Sequence, residues 1–114
     1  MQVTTCLSCR VSDLYKALAD ATRRTILDEL VVRDGQSLFE IVSRLVMLHG
    51  STSSRQAISQ HLAVLEAAGL VRSHREGRTK IHHLNTAPLR SIIERWPLEG
   101  DADAHHHRDE RAGR

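Results

Sequence analysis

The stretch SSRQAISQHLAVLEAAGLV, residues 53–71, constrains this 114-residue chain more than any other. Ile58, Leu62 and Leu65 fall at i, i+4 and i+7, which is a single apolar stripe on a helix. At ~100° per residue, Gln56, Ser59, Gln60 and Ala63 point to the other side. Ser54 stands where an N-cap belongs, and Gly69 stands where a helix stops. The spacing therefore predicts a helix over 55–68 with one core edge. Its opposite edge carries Arg55, Gln56, Ser59 and Gln60, with no carboxylate before Glu66.

Helix signals fill the chain upstream. Residues 1–10 read as a flexible arm. Ser12 is placed to cap a first helix, with Leu14 and Leu18 one turn apart. Asp20 caps a second, ATRRTILDELVV, in which Ile26, Leu27, Leu30 and Val31 share a face and Gly35 marks the end. Ser37 and Glu40 have capping-box spacing, so a third helix starts at Leu38. Its apolar rhythm runs through Ile41, Val42, Leu45 and Leu48 to Gly50.

Downstream the period changes. Leu70–His74 and Thr79–Leu84 are β-prone runs joined by a tight turn around Gly77. Thr86 and Pro88 open a last helix, with Leu89, Ile92, Ile93 and Trp96 on one face and Pro97 closing it. Residues 99–114 have almost no apolar content and read as a disordered tail. The expected fold is mainly α with a small β-hairpin, in the order α-α-α-α-β-β-α, in one domain over 11–98.

The composition fits packed helices, because Tyr15, Phe39 and Trp96 are the only aromatic residues among many aliphatics. No apolar run reaches the ~18–20 residues of a membrane span, and the N-terminus has neither the basic nor the apolar region of a signal peptide. The expectation is a soluble cytoplasmic protein with no membrane partner. Net charge is only +2, but its distribution is uneven. Residues 55–80 hold Arg55, Arg72, Arg75, Arg78 and Lys80 against Glu66 and Glu76, whereas 11–50 hold slightly more acids than bases. A polyanion would bind where the positive charge is focused.

A helix-turn-helix followed at once by a basic hairpin is a winged helix. LADATRRTILDEL resembles the opening, and AISQHLAVLEAAGLVRSHREGRTKIHHL the recognition helix and wing, of the ArsR/SmtB-type winged-helix repressors. The resemblance covers roughly residues 11–97. It implies a sequence-specific DNA-binding regulator, a repressor, that binds a palindromic operator as a homodimer through helix 55–68 and wing 70–84. An unidentified small-molecule effector is a further partner of such a regulator, and no cofactor is expected.

Residue chemistry agrees with that implication. Arg pairs with guanine, Gln with adenine, and Ser with bases or phosphate. Ser54, Arg55 and Gln56 also lie at a helix N-terminus, where free amides attract phosphate. The DNA-contact positions implied by the resemblance are Ser54, Arg55, Gln56, Ser59, Gln60 and His61, with His61 half-packed some 60° from the stripe. In the wing, Arg72, Arg75, Arg78 and Lys80 supply cations, with Arg75 and Arg78 flanking the tip. Leu14, Leu18, Leu89, Ile92, Ile93 and Trp96, on the first and last helices, are the implied dimer interface.

Metal-sensing relatives of this kind carry Cys-x-Cys on the third helix or a carboxylate/His set on the last. LFEIVSRLVMLH has no cysteine and APLRSIIERW offers only Glu94, so neither set is present. Cys6 and Cys9 form a lone CxxC, half of what a structural zinc needs. They leave open a thiol- or metal-responsive regulator using Cys6 and Cys9; His105–His107 is a further histidine run in the tail. His82 and His83 read as packing residues or phosphate neighbours. A winged-helix protein-interaction module is the other alternative. No nucleophile triad, P-loop or paired carboxylate points to an enzyme.

Two departures from the family pattern stand out. Ala21 replaces the usual proline at a helix start, a small loss in nucleation. The run from Leu45 to Ala57 is longer than the family's GLSQS connector: the third helix gains about a turn, to His49, and the turn after it grows as well. A longer connector is expected to loosen the tie between support helix and recognition helix.

Overall fold

The computed structural model describes residues 7–99, with side chains from Ser12 onward. Four helices, α1 (Leu7–Leu18), α2 (Ala21–Val32), α3 (Leu38–His49) and α4 (Arg55–Ala67), precede the hairpin of a small sheet whose first strand lies between α2 and α3. Strands β1 (Gln36–Ser37), β2 (Val71–Glu76) and β3 (Thr79–Leu84) follow the sheet order β1-β3-β2, all antiparallel. A 3-10 turn, Ala87–Leu89, leads into α5 (Arg90–Arg95). This is the expected winged helix-turn-helix, with one strand added.

Local signals set the helix starts. Asp20 accepts the Arg23 amide at 3.1 Å, and Ser54 accepts the Ala57 amide at 3.0 Å. Ser37 and Glu40 form both bonds of the capping box, at 3.2 and 2.9 Å. Each such cap contributes about 1 kcal/mol by satisfying an amide that the helix leaves free. The exception is α1. It begins at Leu7, so Ser12 lies inside the helix and Leu7–Arg10 leave the expected arm. Residues 1–6 and 100–114, including most of the expected arm and tail, lie outside the described residues.

The α2 terminus also differs from expectation. Arg33, not Gly35, is the C-cap, in an extended conformation. The wholly buried Gln36 amide donates to the Arg33 carbonyl at 2.7 Å, which the helix end would leave unpaired, and to the Glu29 carbonyl at 3.2 Å, which also accepts the Arg33 amide. Gln36 and Ser37 then pair with His82 and Ile81 of β3. His82, 4% exposed, meets the Gln36 carbonyl through Nδ1 at 3.0 Å. It is a packing residue, and burial pushes its pKa down.

The core gathers Ile26 and Leu30 of α2, Ile41 and Leu45 of α3, and Ile58, Leu62 and Leu65 of α4. Each buried Leu or Ile contributes roughly 1.5–3 kcal/mol. Leu14 belongs to it at 2% exposure. Two apolar positions expected to face the core do not. Val31 is 69% exposed and Leu48 60% exposed. Both lie in the last turn of a helix, where the neighbouring elements no longer cover the stripe.

Candidate nucleic-acid interface

The α4 stripe fixes which side of the helix faces out. With Ile58, Leu62 and Leu65 buried, Arg55, Gln56, Ser59, Gln60 and Ala63 are all exposed. Among the described residues, no side-chain hydrogen bond or ion pair occupies Arg55, Gln56, Ser59 or Gln60. Their donors and acceptors are turned to solvent. Ser54 is exposed too, but its hydroxyl is used as the cap. Small Ala63, one turn beyond Ser59, leaves this face without a bulky side chain there.

His61 is different. Its side chain is 22% exposed, and Nδ1 lies 3.2 Å from Arg23 Nη1. Arg23 also donates to the Ala17 and Lys16 carbonyls at 3.0 and 3.1 Å. A guanidinium only donates, so His61 Nδ1 accepts here. His61 is half-packed, as expected. The structure places it as the joint between α4 and the α1–α2 corner, apart from the free polar face.

The wing has two unlike faces. Register pairs Arg75 with Lys80, Ser73 with His82 and Val71 with Leu84, and these six residues share the face toward α4. Glu66, the one carboxylate of α4, spans both strands. It accepts from Ser73 Oγ at 2.6 Å and lies 3.4 Å from Lys80 Nζ. The Ser73 hydroxyl, followed by the Lys80 charge against some desolvation, holds its pKa below the usual carboxylate value. A groove of about 190 Å³ between helix and sheet brings Lys80 beside Ser59 and Ala63 of the polar face.

Arg72 alternates with Val71 and so lies on the other side of the sheet, away from α4. The expected set of four wing cations is therefore split, with Arg72 near the base on the outer face. Its neighbours there form a bonded series. Asp34 accepts the Leu84 amide at 2.6 Å and meets His83 Nδ1 at 2.9 Å. His83 Nε2 meets His74 Nδ1 at 3.1 Å, and His74 Nε2 meets Glu76 at 3.1 Å. The Leu84 amide, and then His83, hold the Asp34 pKa low. This series ties the wing to the end of α2. The tip is a two-residue turn, since Glu76 pairs with Thr79 and Gly77 has φ 64°. Arg75 Nη1 reaches the Arg78 carbonyl at 3.3 Å, and Arg78 itself is exposed.

The expected dimer residues also divide. Leu14 is spent on the intrachain core, because a side chain 2% exposed has no surface left to offer. Leu18, Leu89 and Ile92 pack partly against that core. Ile93 and Trp96 remain 41% and 56% exposed, joined by Leu98 at 56%. Trp96 lies 6.3 Å from the Tyr15 ring, so α1 and the end of α5 adjoin.

Cys6 and His105–His107 lie outside the described residues, and Cys9 falls on α1. Among the described residues no three His, Cys, Asp or Glu side chains are grouped to hold a metal. No described helix is long and apolar enough to cross a membrane.

Sequence reasoning missed Glu66 and Asp34 as wing anchors. Glu66 had a visible signal, as the lone acid on a helix otherwise without carboxylates. Asp34 had none, because its partners lie 49 and 50 residues away.

Known proteins agree with this geometry. A family profile described as "Helix-turn-helix domain" matches residues 18–74. The uncharacterised HTH-type transcriptional regulator YuzN of Bacillus subtilis is 45% identical over 83 residues, 73% of this chain and 90% of that one. The transcriptional repressor SdpR of the same species is 33% identical over 97 residues, 82% of this chain and 99% of that one. An ArsR-like transcriptional regulator from Rhodococcus sp. RHA1 superimposes with a TM-score of 0.64 at 34% identity, over 86% of this chain and 89% of that one. The homodimeric winged helix-turn-helix domain Mb0332 from Mycobacterium bovis shares the fold at 24% identity and a TM-score of 0.59, over 96% and 99% of the two chains. With a helix-turn-helix, a basic wing and these relatives in agreement, the chain belongs to the ArsR-type winged helix-turn-helix transcriptional regulators.

Proposed function

We propose that this protein is a cytoplasmic repressor that binds a palindromic operator as a homodimer and reads it with Arg55, Gln56, Ser59 and Gln60. One observation carries the reading: an exposed helix face whose polar side chains have no partner among the described residues, set beside a cationic wing. Arg75 and Lys80 on the α4 side of the wing, with Arg78 at its tip, supply the phosphate contacts. The amides at the α4 N-terminus add a further anion site next to Ser54.

Dimerisation is supported by apolar surface on Ile93, Trp96 and Leu98, beside α1. A two-fold axis there presents two α4 helices about one DNA turn apart, ~34–36 Å. Repression is the reading closest to SdpR, which is named a transcriptional repressor. A protein that covers a promoter half-site excludes polymerase without further chemistry.

The test is a mobility shift against DNA upstream of the protein's own gene, repeated across a salt series. Affinity should fall steeply with salt, with a slope of about −0.9 per neutralised phosphate. Salt-independent binding, or none at low salt, would contradict it and favour a protein-docking module.

A further inference from the structure

The long connector before α4 is bonded at successive steps. His49 is the last residue of α3, within the extra turn. Its Nε2 lies 2.7 Å from Glu29 Oε2 on α2. Glu29 Oε1 accepts from Arg44 Nε, one turn back on α3. The Glu29 side chain is only 6% exposed. A carboxylate that deep is stable only with partners that hydrogen-bond both oxygens, and Arg44 and His49 each supply one.

The chain stays bonded beyond His49. Gly50 takes a left-handed conformation, φ 63°, open to glycine without strain, and its amide donates to the Leu45 carbonyl. The Ser51 amide donates to the same carbonyl at 3.1 Å. The Ser53 amide donates to Ser51 Oγ at 3.1 Å, and Ser54 then caps α4. A run such as GSTSS has the composition of a flexible linker. Here it starts directly after α3, whose last residue, His49, is bonded to α2.

We propose that Glu29 and His49 form a latch in which His49 acts as a positioning residue for DNA reading: it pins the extra turn of α3 to α2 and so sets where the N-terminal turn of α4 begins. The first contact residues, Ser54, Arg55 and Gln56, precede Ile58, the first core anchor of α4. The core stripe alone therefore does not hold that turn; the Ser54 cap closes it locally, and the latch sets where it begins. Arg44 neutralises Glu29 whether or not His49 is present, which makes His49 the separable half of the pair. The inference rests on the DNA-reading role of α4 proposed above.

The experiment compares the full-length parent with His49→Ala and His49→Gln. Operator and scrambled duplex binding are measured by fluorescence anisotropy, and connector amide exchange by NMR. Glutamine keeps a donor near the imidazole Nε2 position. His49→Ala should weaken operator binding about tenfold, within the range of coupling through a positioning network. It should leave scrambled-DNA binding unchanged and speed exchange at the Ser51, Ser53 and Ala57 amides. His49→Gln should restore both operator binding and protection. Parent-like operator affinity and exchange in His49→Ala overturns the latch, as does equal loss on both duplexes or failure of glutamine to rescue. A parent that does not distinguish operator from scrambled duplex overturns the DNA-reading role instead. In that case the amide exchange alone still decides whether His49 holds the connector.

Discussion

The recognition helix and the wing are both exposed and both polar, yet they use their polar groups in opposite ways. On α4, Arg55, Gln56, Ser59 and Gln60 have no side-chain partner among the described residues. On the wing, Lys80 lies against Glu66, Arg75 reaches the Arg78 carbonyl, and His74 and His83 are bonded in series between Glu76 and Asp34. Base reading needs directional donors and acceptors that nothing else occupies. Phosphate binding needs positive charge held at the right distance, and a lysine shared with a carboxylate still supplies that. On the proposed function, the difference fits sequence reading by the helix and non-specific affinity from the wing.

The comparison depends first on the stripe that turns the free face outward. Leu62→Ala removes its central residue, 3% exposed, and should cost about 2–5 kcal/mol in urea unfolding. A loss under 1 kcal/mol would mean that α4 is not anchored this way.

Next come the wing cations. Arg78→Ala should weaken binding to operator and scrambled DNA by the same factor and reduce the salt slope by about 1. A selective loss on the operator would move sequence reading into the wing and erase the contrast with α4.

Smaller effects follow from pH. Glu29 has a lowered pKa, first because His49 and then because Arg44 bonds its charged form. A carboxylate depressed in the fold stabilises above its unfolded pKa, about 4.3, and that stability is lost as pH falls through the folded value. His82 has the opposite charge but the same sense. Burial favours its neutral form, so protonation of the unfolded chain erodes stability as pH falls below about 6.5. Urea unfolding at pH 8 and pH 5.5 should show a small loss at the lower pH, and His82→Gln should flatten it. No difference between parent and variant would remove His82 as the cause.

How much of this was legible in the sequence follows from the range of the interactions. Ser37 with Glu40, Asp20 and Ser54 act within three residues, so their caps could be read directly. The α4 stripe was legible because one helix turn is also local. Strand β1 was not, since two residues make no periodic pattern and their partners His82 and Ile81 lie far along the chain. Periodicity also names a face without saying how far its neighbour extends, which is why Val31 and Leu48 were expected to be buried and are exposed. The family resemblance placed Leu14 at a dimer interface, when the chain's own core takes it. Arg72 could have been placed by strict alternation from Val71. The wing was instead expected to break at Arg75, and the strand runs on to Glu76. For the connector, length suggested slack, and only the contacts of His49 and Ser51 showed how it is held.

The central claim is that the unpartnered face of α4 reads base sequence. Its most direct test is the double variant Arg55→Ala with Gln56→Ala, titrated against operator and scrambled duplexes at one salt concentration. Operator binding should weaken by ~1–3 kcal/mol per lost base contact, and discrimination between the duplexes should shrink with it. A double variant that binds and discriminates its operator as well as the parent would contradict the account.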